Sequence, residues 1–164
     1  MKNKRAIQHQ KTFDNLSKVV ELLPTPIYWL DINATLAGAN QRFYELLEID
    51  KSYVGTNGYD VYPYEVAHHI IQHDRQVMEA GVADSQEEMI KGIVKDDTKV
   101  YEAFKEPLRD ESGIVVGLVG SLIDITDKKE SERLRIESEK HKVEAEAQKR
   151  FQKQVKQVVN DIRS

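Results

Sequence analysis

Apolar residues follow two kinds of repeat along this chain. In residues 5–23, Phe13, Leu16, Val20 and Leu23 recur at spacings of 3, 4 and 3. That is one stripe of an amphipathic helix, and Pro24 and Pro26 end it. Ile27-Tyr28-Trp29-Leu30 is a short β-branched and aromatic run, a strand. Asp31, Ile32, Asn33 and Ala34 supply a turn, because Asp and Asn side chains bond their own backbone. Residues 36–39 return as a second strand. Asn40 then fits an N-cap for a short helix, Gln41–Leu47, carrying Phe43, Leu46 and Leu47.

Residues 51–63, with Gly55, Asn57, Gly58 and Pro63, read as a loop. Tyr64–Ala80 reads as a helix that Gly81 stops. Its apolar residues, Val66 or Ala67, Ile70, Ile71, Val77 and Met78, fall near one face. Three strands follow over residues 86–94, 99–108 and 114–126, turned by Asp96-Asp97 and by residues 109–113. Strands joined by tight turns form an antiparallel sheet, with the helices packed on one side. The class is α+β.

The pattern changes after Thr126. The chain has 164 residues, with 24 Lys/Arg and 28 Asp/Glu. Residues 127–164 hold 11 of the basic and 8 of the acidic residues and no Gly or Pro, so they carry a formal +3 against −7 for the rest. Five Glu-to-Lys/Arg pairs stand at i,i+3: Glu130/Arg133, Glu132/Arg135, Glu137/Lys140, Glu139/Lys142 and Glu146/Lys149. This predicts one helix of about 57 Å at about 1.5 Å per residue. Leu134, Ile136, Val143 and Ala147 make a thin apolar seam that becomes regular at Phe151, Val155, Val158 and Ile162. A coiled-coil or bundle seam of this kind pairs with a second copy; the plainer reading is a solvated single helix.

Composition then removes whole classes of chemistry. The chain contains no cysteine, so disulfides, thiolate metal sites, Cys nucleophiles and cysteinyl-flavin photochemistry are excluded. No apolar stretch reaches the roughly 18–20 residues of a membrane-spanning helix. The basic start, residues 1–5, leads into Gln and His rather than an apolar segment and does not read as a signal peptide. The expectation is a cytoplasmic protein. The acidic body points away from nucleic acid as a partner.

From about residue 22 to 129 the chain resembles a PAS domain, a small sensory α+β fold. Residues 23–31, with Pro24, Pro26, Trp29 and Asp31, carry the resemblance, together with Gly38-Ala39-Asn40, Gly55, Pro63, Ala80-Gly81 and Glu87-Glu88. It continues through Lys105, Pro107, Leu108, Arg109, Asp110, Gly113, Gly117 and Gly120 to Asp124-Ile125-Thr126. One departure is Ala34, where relatives carry Gly; it implies a turn without positive φ there, or a mildly strained one. The last residues, Val158-Val159-Asn160-Asp161-Ile162-Arg163-Ser164, resemble the phosphoacceptor box of sensor histidine kinases, with Asn160 in the place of the acceptor His. An amide nitrogen is not nucleophilic at neutral pH, so Asn160 cannot carry the phosphoryl group. No Gly-rich phosphate loop is present either. The resemblance implies an N-terminal helix (residues 1–22), a PAS domain (23–126) and a signal helix (127–164). Together these form the non-catalytic sensory and transmission part of a dimeric, cytoplasmic two-component histidine kinase, with a response regulator downstream. A PAS module serving another output, such as a cyclic-dinucleotide enzyme, or a haem or flavin sensor, is the alternative.

PAS domains often bind a small ligand between sheet and long helix, and that implies a set of candidate residues. Trp29, Ile70 or Ile71, Phe104, and Leu118 or Gly120 are expected to face inward, with Tyr28, Tyr101 and Ser121 as the polar contacts. The plainer reading is that these residues are simply core. His68, His69 and His73 stand where haem-binding relatives place an axial ligand, but exposed polar histidines are the expectation, and no cofactor or metal is favoured. Glu88 and Lys105 lie on neighbouring strands. A surface pair between them contributes under about 1 kcal/mol; turned inward, they would hold a zwitterionic ligand. Asp124 and Thr126, at the junction of sheet and signal helix, are expected to couple the core to the helix by capping it.

Overall fold

The computed structural model describes residues 16–91 and 98–163. The expected Asp96-Asp97 turn, Phe13 and Ser164 lie outside the described residues. The chain divides into two units, residues 1–125 and 126–164.

Asn40 organises the start of the first unit. Its Oδ1 accepts the Phe43 N–H at 3.1 Å, which caps helix α2, Gln41–Leu47. The same oxygen accepts the Ile27 N–H at 2.9 Å, at the head of strand β1, Ile27–Asp31. Asn40 Nδ2 donates to the carbonyls of Thr25 at 2.9 Å and Val20 at 3.2 Å, which ties down helix α1, residues 16–22. One buried amide thus joins three elements. Strand β2, Leu36–Ala39, pairs antiparallel with β1 through the Asp31 turn, where Asp31 Oδ1 accepts the Asn33 and Thr35 N–H groups. Ala34 in that turn has φ 61 and is buried. The left-handed backbone costs about 1–2 kcal/mol, and burial of the methyl returns roughly 0.8 kcal/mol of it. The strained alternative is the one adopted.

Helix α3, Tyr64–Ala80, ends at Gly81, whose φ of 64 is the left-handed cap and whose N–H bonds the Val77 carbonyl. Strands β3 (Asp84–Lys91), β4 (Thr98–Arg109) and β5 (Val115–Asp124) complete a five-stranded antiparallel sheet in the order β2-β1-β5-β4-β3. Strand β5, last in sequence, lies beside β1 at the centre and brings the two hairpins together. Strands β1, β2, β4 and β5 begin and end within about two residues of the sequence expectation, and β3 begins two residues before it; the expected end of β3 lies outside the described residues.

The core packs α2 and α3 onto one face of the sheet. Phe43, Tyr44 and Leu47 meet Ala67, Ile71, Val77 and Met78 there, with Tyr28, Leu30, Tyr101, Ala103, Leu118 and Leu122 from the strands. The second unit is helix α4, Thr126–Arg163, 38 residues without a break.

Candidate functional site

Between the sheet and α3 lies a cavity of about 60 Å³, several times the roughly 10–15 Å³ that accommodates one water. Most of its wall is apolar: Leu30, Leu36, Phe43, Leu47, Ile70, Ile71 and Leu122. Tyr28 and Tyr62 bring phenol groups to it, and Asp74 and Glu88 bring carboxyl groups.

Each carboxylate reaches the wall by the period of its element. Asp74 continues the buried stripe of α3, at i+3 from Ile71 and i−3 from Val77. Glu88 is buried on β3 in phase with Ile90, and Lys105 is buried on β4 in phase with Tyr101 and Ala103. Lys105 Nζ lies 2.7 Å from Asp74 Oδ1 and 2.7 Å from Glu88 Oε1. The three side chains are 0%, 4% and 3% exposed. At 2.7 Å both contacts are close ion pairs. Gln86 Nε2 donates to Glu88 Oε1 at 3.2 Å.

Two carboxylates thus share one ammonium inside the core. Burial pushes the Asp74 carboxyl above the ordinary aspartate range, and Lys105 offsets only part of that rise. Burial likewise raises Tyr28, with the charges of Asp74 and then Glu88 adding to it. It raises Tyr62, with Glu88 and then Asp74 adding. Gly120 makes room for this cluster. It faces Tyr28 on β1 and Lys105 on β4, and a Cβ there would overlap the Tyr28 ring.

With this geometry established, the chain can be set beside known proteins. The PAS fold family matches residues 20–130. The chain belongs to the PAS fold family. No curated protein matches the chain. Among solved structures, "VqmA bound to DPO" is similar at 22% identity and TM-score 0.63, over 70% of this chain and 58% of that one. The PAS domain of HTR-like protein from Haloarcula marismortui is similar at 19% identity and TM-score 0.60, over 75% of this chain and 99% of that one. An RNA-binding Light-Oxygen-Voltage receptor is similar at 18% identity and TM-score 0.65, over 77% of this chain and 37% of that one. The chain spans 51–60% of the length of these VqmA chains.

The PAS sheet sorts the expected site residues by strand parity. Tyr28 and Ile71 line the cavity. Tyr101 and Leu118 point to the same side and are buried, but they form core rather than cavity wall. Trp29, Phe104 and Ser121 lie on the opposite face of the sheet, which corrects the expectation that they face inward. Ser121 is in register with Ile27 and Phe104, and Phe104 is 41% exposed. Adjacent residues of a strand point to opposite sides, so Tyr28 and Trp29 cannot both face the cavity. Trp29 instead faces α1, with Leu16, Val20, Leu108 and Val119 around it.

The histidines divide in the same way. His68 and His69 are exposed on α3, and His68 Nδ1 meets the Tyr59 hydroxyl at 3.1 Å. His73 is buried, contrary to expectation, with Nε2 3.1 Å from Asp84 Oδ2. That contact holds the exposed Asp84 carboxyl below the usual range. No histidine is among the cavity-lining residues. Glu88 and Lys105 do pair, as expected of neighbouring strands, but in the core and not at the surface, because both residues fall on the inward phase of their strands. Asp74, Tyr62 and Leu122 escaped the sequence reading. Asp74 was discoverable from its place in the helical stripe.

At the junction, Asp124 closes β5 and its Oδ2 accepts from Lys99 Nζ at 3.2 Å. Thr126 is the first residue of α4. On α4, Glu130 and Arg133 pair at 2.8 Å as expected. Arg133 also reaches Glu137 at 3.5 Å, and Lys140 reaches Glu144 at 4.0 Å, at i,i+4. Phe151, Val155, Val158 and Ile162 are 45–80% exposed. Among the described residues no helix is long and apolar enough to cross a membrane.

Proposed function

We propose that this chain is the sensory-input and transmission part of a dimeric sensor histidine kinase. A small ligand in the PAS cavity biases the sheet, and the change passes through Asp124–Thr126 into paired α4 helices. The observation that carries the reading is α4 itself. It begins two residues after the central strand β5 ends and runs unbroken for 38 residues. Its regular apolar seam leads into the acceptor-like box around Asn160. A helix exposing Phe151, Val155, Val158 and Ile162 gains most by burying them against a second copy.

Asn160 makes this stretch a transmitter without an acceptor. The cavity, apolar with a few convergent polar groups, has the make-up of a small-molecule site. Light scattering of the purified chain at high micromolar concentration tests the assembly. A dimer mass is expected, and a monomer mass overturns the reading.

A second reading, an output that binds nucleic acid, draws on two structural neighbours, the DNA-binding receptor VqmA and an RNA-binding receptor. The formal charge of +3 on residues 127–164 is compatible with it. Gel-shift titration of the chain with duplex DNA and with RNA separates the two: the kinase reading expects no shift that survives physiological salt.

A further inference from the structure

We infer that the cavity takes a compact organic cation, a protonated amine or small nitrogen heterocycle, held by the carboxylates of Asp74 and Glu88. This rests on the reading of the cavity as a ligand site and names the class of ligand.

The arrangement of charge carries the inference. Asp74 and Glu88 line the cavity; Lys105, which pairs with both, is wholly buried and does not. The acidic groups therefore face the open space. Each spends one oxygen on existing contacts: Oδ1 of Asp74 on Lys105, and Oε1 of Glu88 on Lys105 and Gln86. The second oxygens, Asp74 Oδ2 and Glu88 Oε2, have no partner among the described residues. Both side chains are more than nine-tenths buried, where an unmet carboxylate oxygen is costly.

Charge counting gives the sign. Two carboxylates share one ammonium; without a ligand the raised Asp74 carboxyl limits the excess negative charge, and a bound monocation lets all three groups ionise in balance. A zwitterion would also need a cationic partner for its carboxylate, and Lys105 is already committed. The remaining wall is aliphatic and aromatic, which suits the carbon part of an alkylammonium or a flat heterocycle. The Phe43 and Tyr28 rings, packed together with centroids 4.9 Å apart, form part of that wall. A cavity of about 60 Å³ limits an unexpanded fit to a few heavy atoms.

Three probes of similar size test it on the intact chain: n-propylammonium, n-propanol and propionate, titrated at matched ionic strength and neutral pH. The readout is the amide NMR shifts of Ile70, Ile71 and Leu122. Propylammonium is expected to bind at least tenfold more tightly than either of the others. Glu88→Gln and Asp74→Asn each leave a neutral cluster, and each is expected to erase that preference while n-propanol binding stays within about twofold. The wild-type comparison decides the matter even if a variant fails to fold. Tighter or equal binding of n-propanol or propionate overturns the charge class and leaves the cavity a ligand site. No shift with any of the three overturns the charge class and the ligand-site reading together.

Discussion

Lys105 is the residue on which the core depends. Alone, an ammonium this deep would be expensive to desolvate, and so would either carboxylate. Replacing Lys105 with Met leaves Asp74 and Glu88 buried without a counter-ion, and a loss of about 3–5 kcal/mol is expected in urea unfolding. Replacing all three residues with apolar groups of like volume is expected to be neutral or stabilising. Asp74 also has a pH signature. Its folded-state carboxyl is raised, so its contribution is fully present below the unfolded aspartate range and is lost as pH rises through the folded value. Asp74→Asn removes that loss, so the substitution is expected to cost more stability near pH 4 than near pH 7. Chemical unfolding at the two values checks the sign. Two members of this cluster, Glu88 and Lys105, were legible as neighbours on adjacent strands, and Asp74 could have been added from its place in the apolar stripe of its helix. What could not be read was that three elements bring both carboxylates to 2.7 Å from the one ammonium.

Elements differ in how far they can be understood alone. Helix α4 is fully local. It has no Gly or Pro from Thr126 to Arg163 and carries charge pairs one turn apart, each adding a few tenths of a kcal/mol. Its seam is where a partner must act. In a paired helix each buried Phe or Val is worth about 1.5–3 kcal/mol per copy, so Phe151→Glu or Val155→Glu is expected to weaken self-association by roughly 10²–10⁴-fold. Sedimentation equilibrium measures it, with circular dichroism confirming that the helix persists. The strands are only half local. Composition located β1, but which of Tyr28 and Trp29 meets the cavity depends on its register with β2 and β5. Tyr28 goes inward over Gly120, and Trp29 goes outward toward α1.

At the scale of the molecule, the boundary seen in composition near Thr126 coincides with the division between residues 1–125 and 126–164. The core cluster lies wholly in the first unit, between Tyr28 and Leu122, and a unit with its own core can fold alone. A chain ending at Ile125 is therefore expected to unfold cooperatively within about 1 kcal/mol of the intact chain, the size of one ordinary substitution. Much helical ellipticity should be lost with α4; non-cooperative unfolding would show that the helix is part of the fold. The order of elements, the Asn40 and Gly81 caps, the uninterrupted helix and the absence of cysteine chemistry were determined by sequence alone, because each depends on backbone preference or on residues a few positions apart. The side of the sheet on which each residue lies, the burial of His73 and the Asp74–Lys105–Glu88 cluster were decided by tertiary structure. They depend on register and on strand β5 closing against β1 across the 83 residues between them, 32–114. A charge in a sequence is solvated by default; only packing from three sides can turn it into the wall of a cavity.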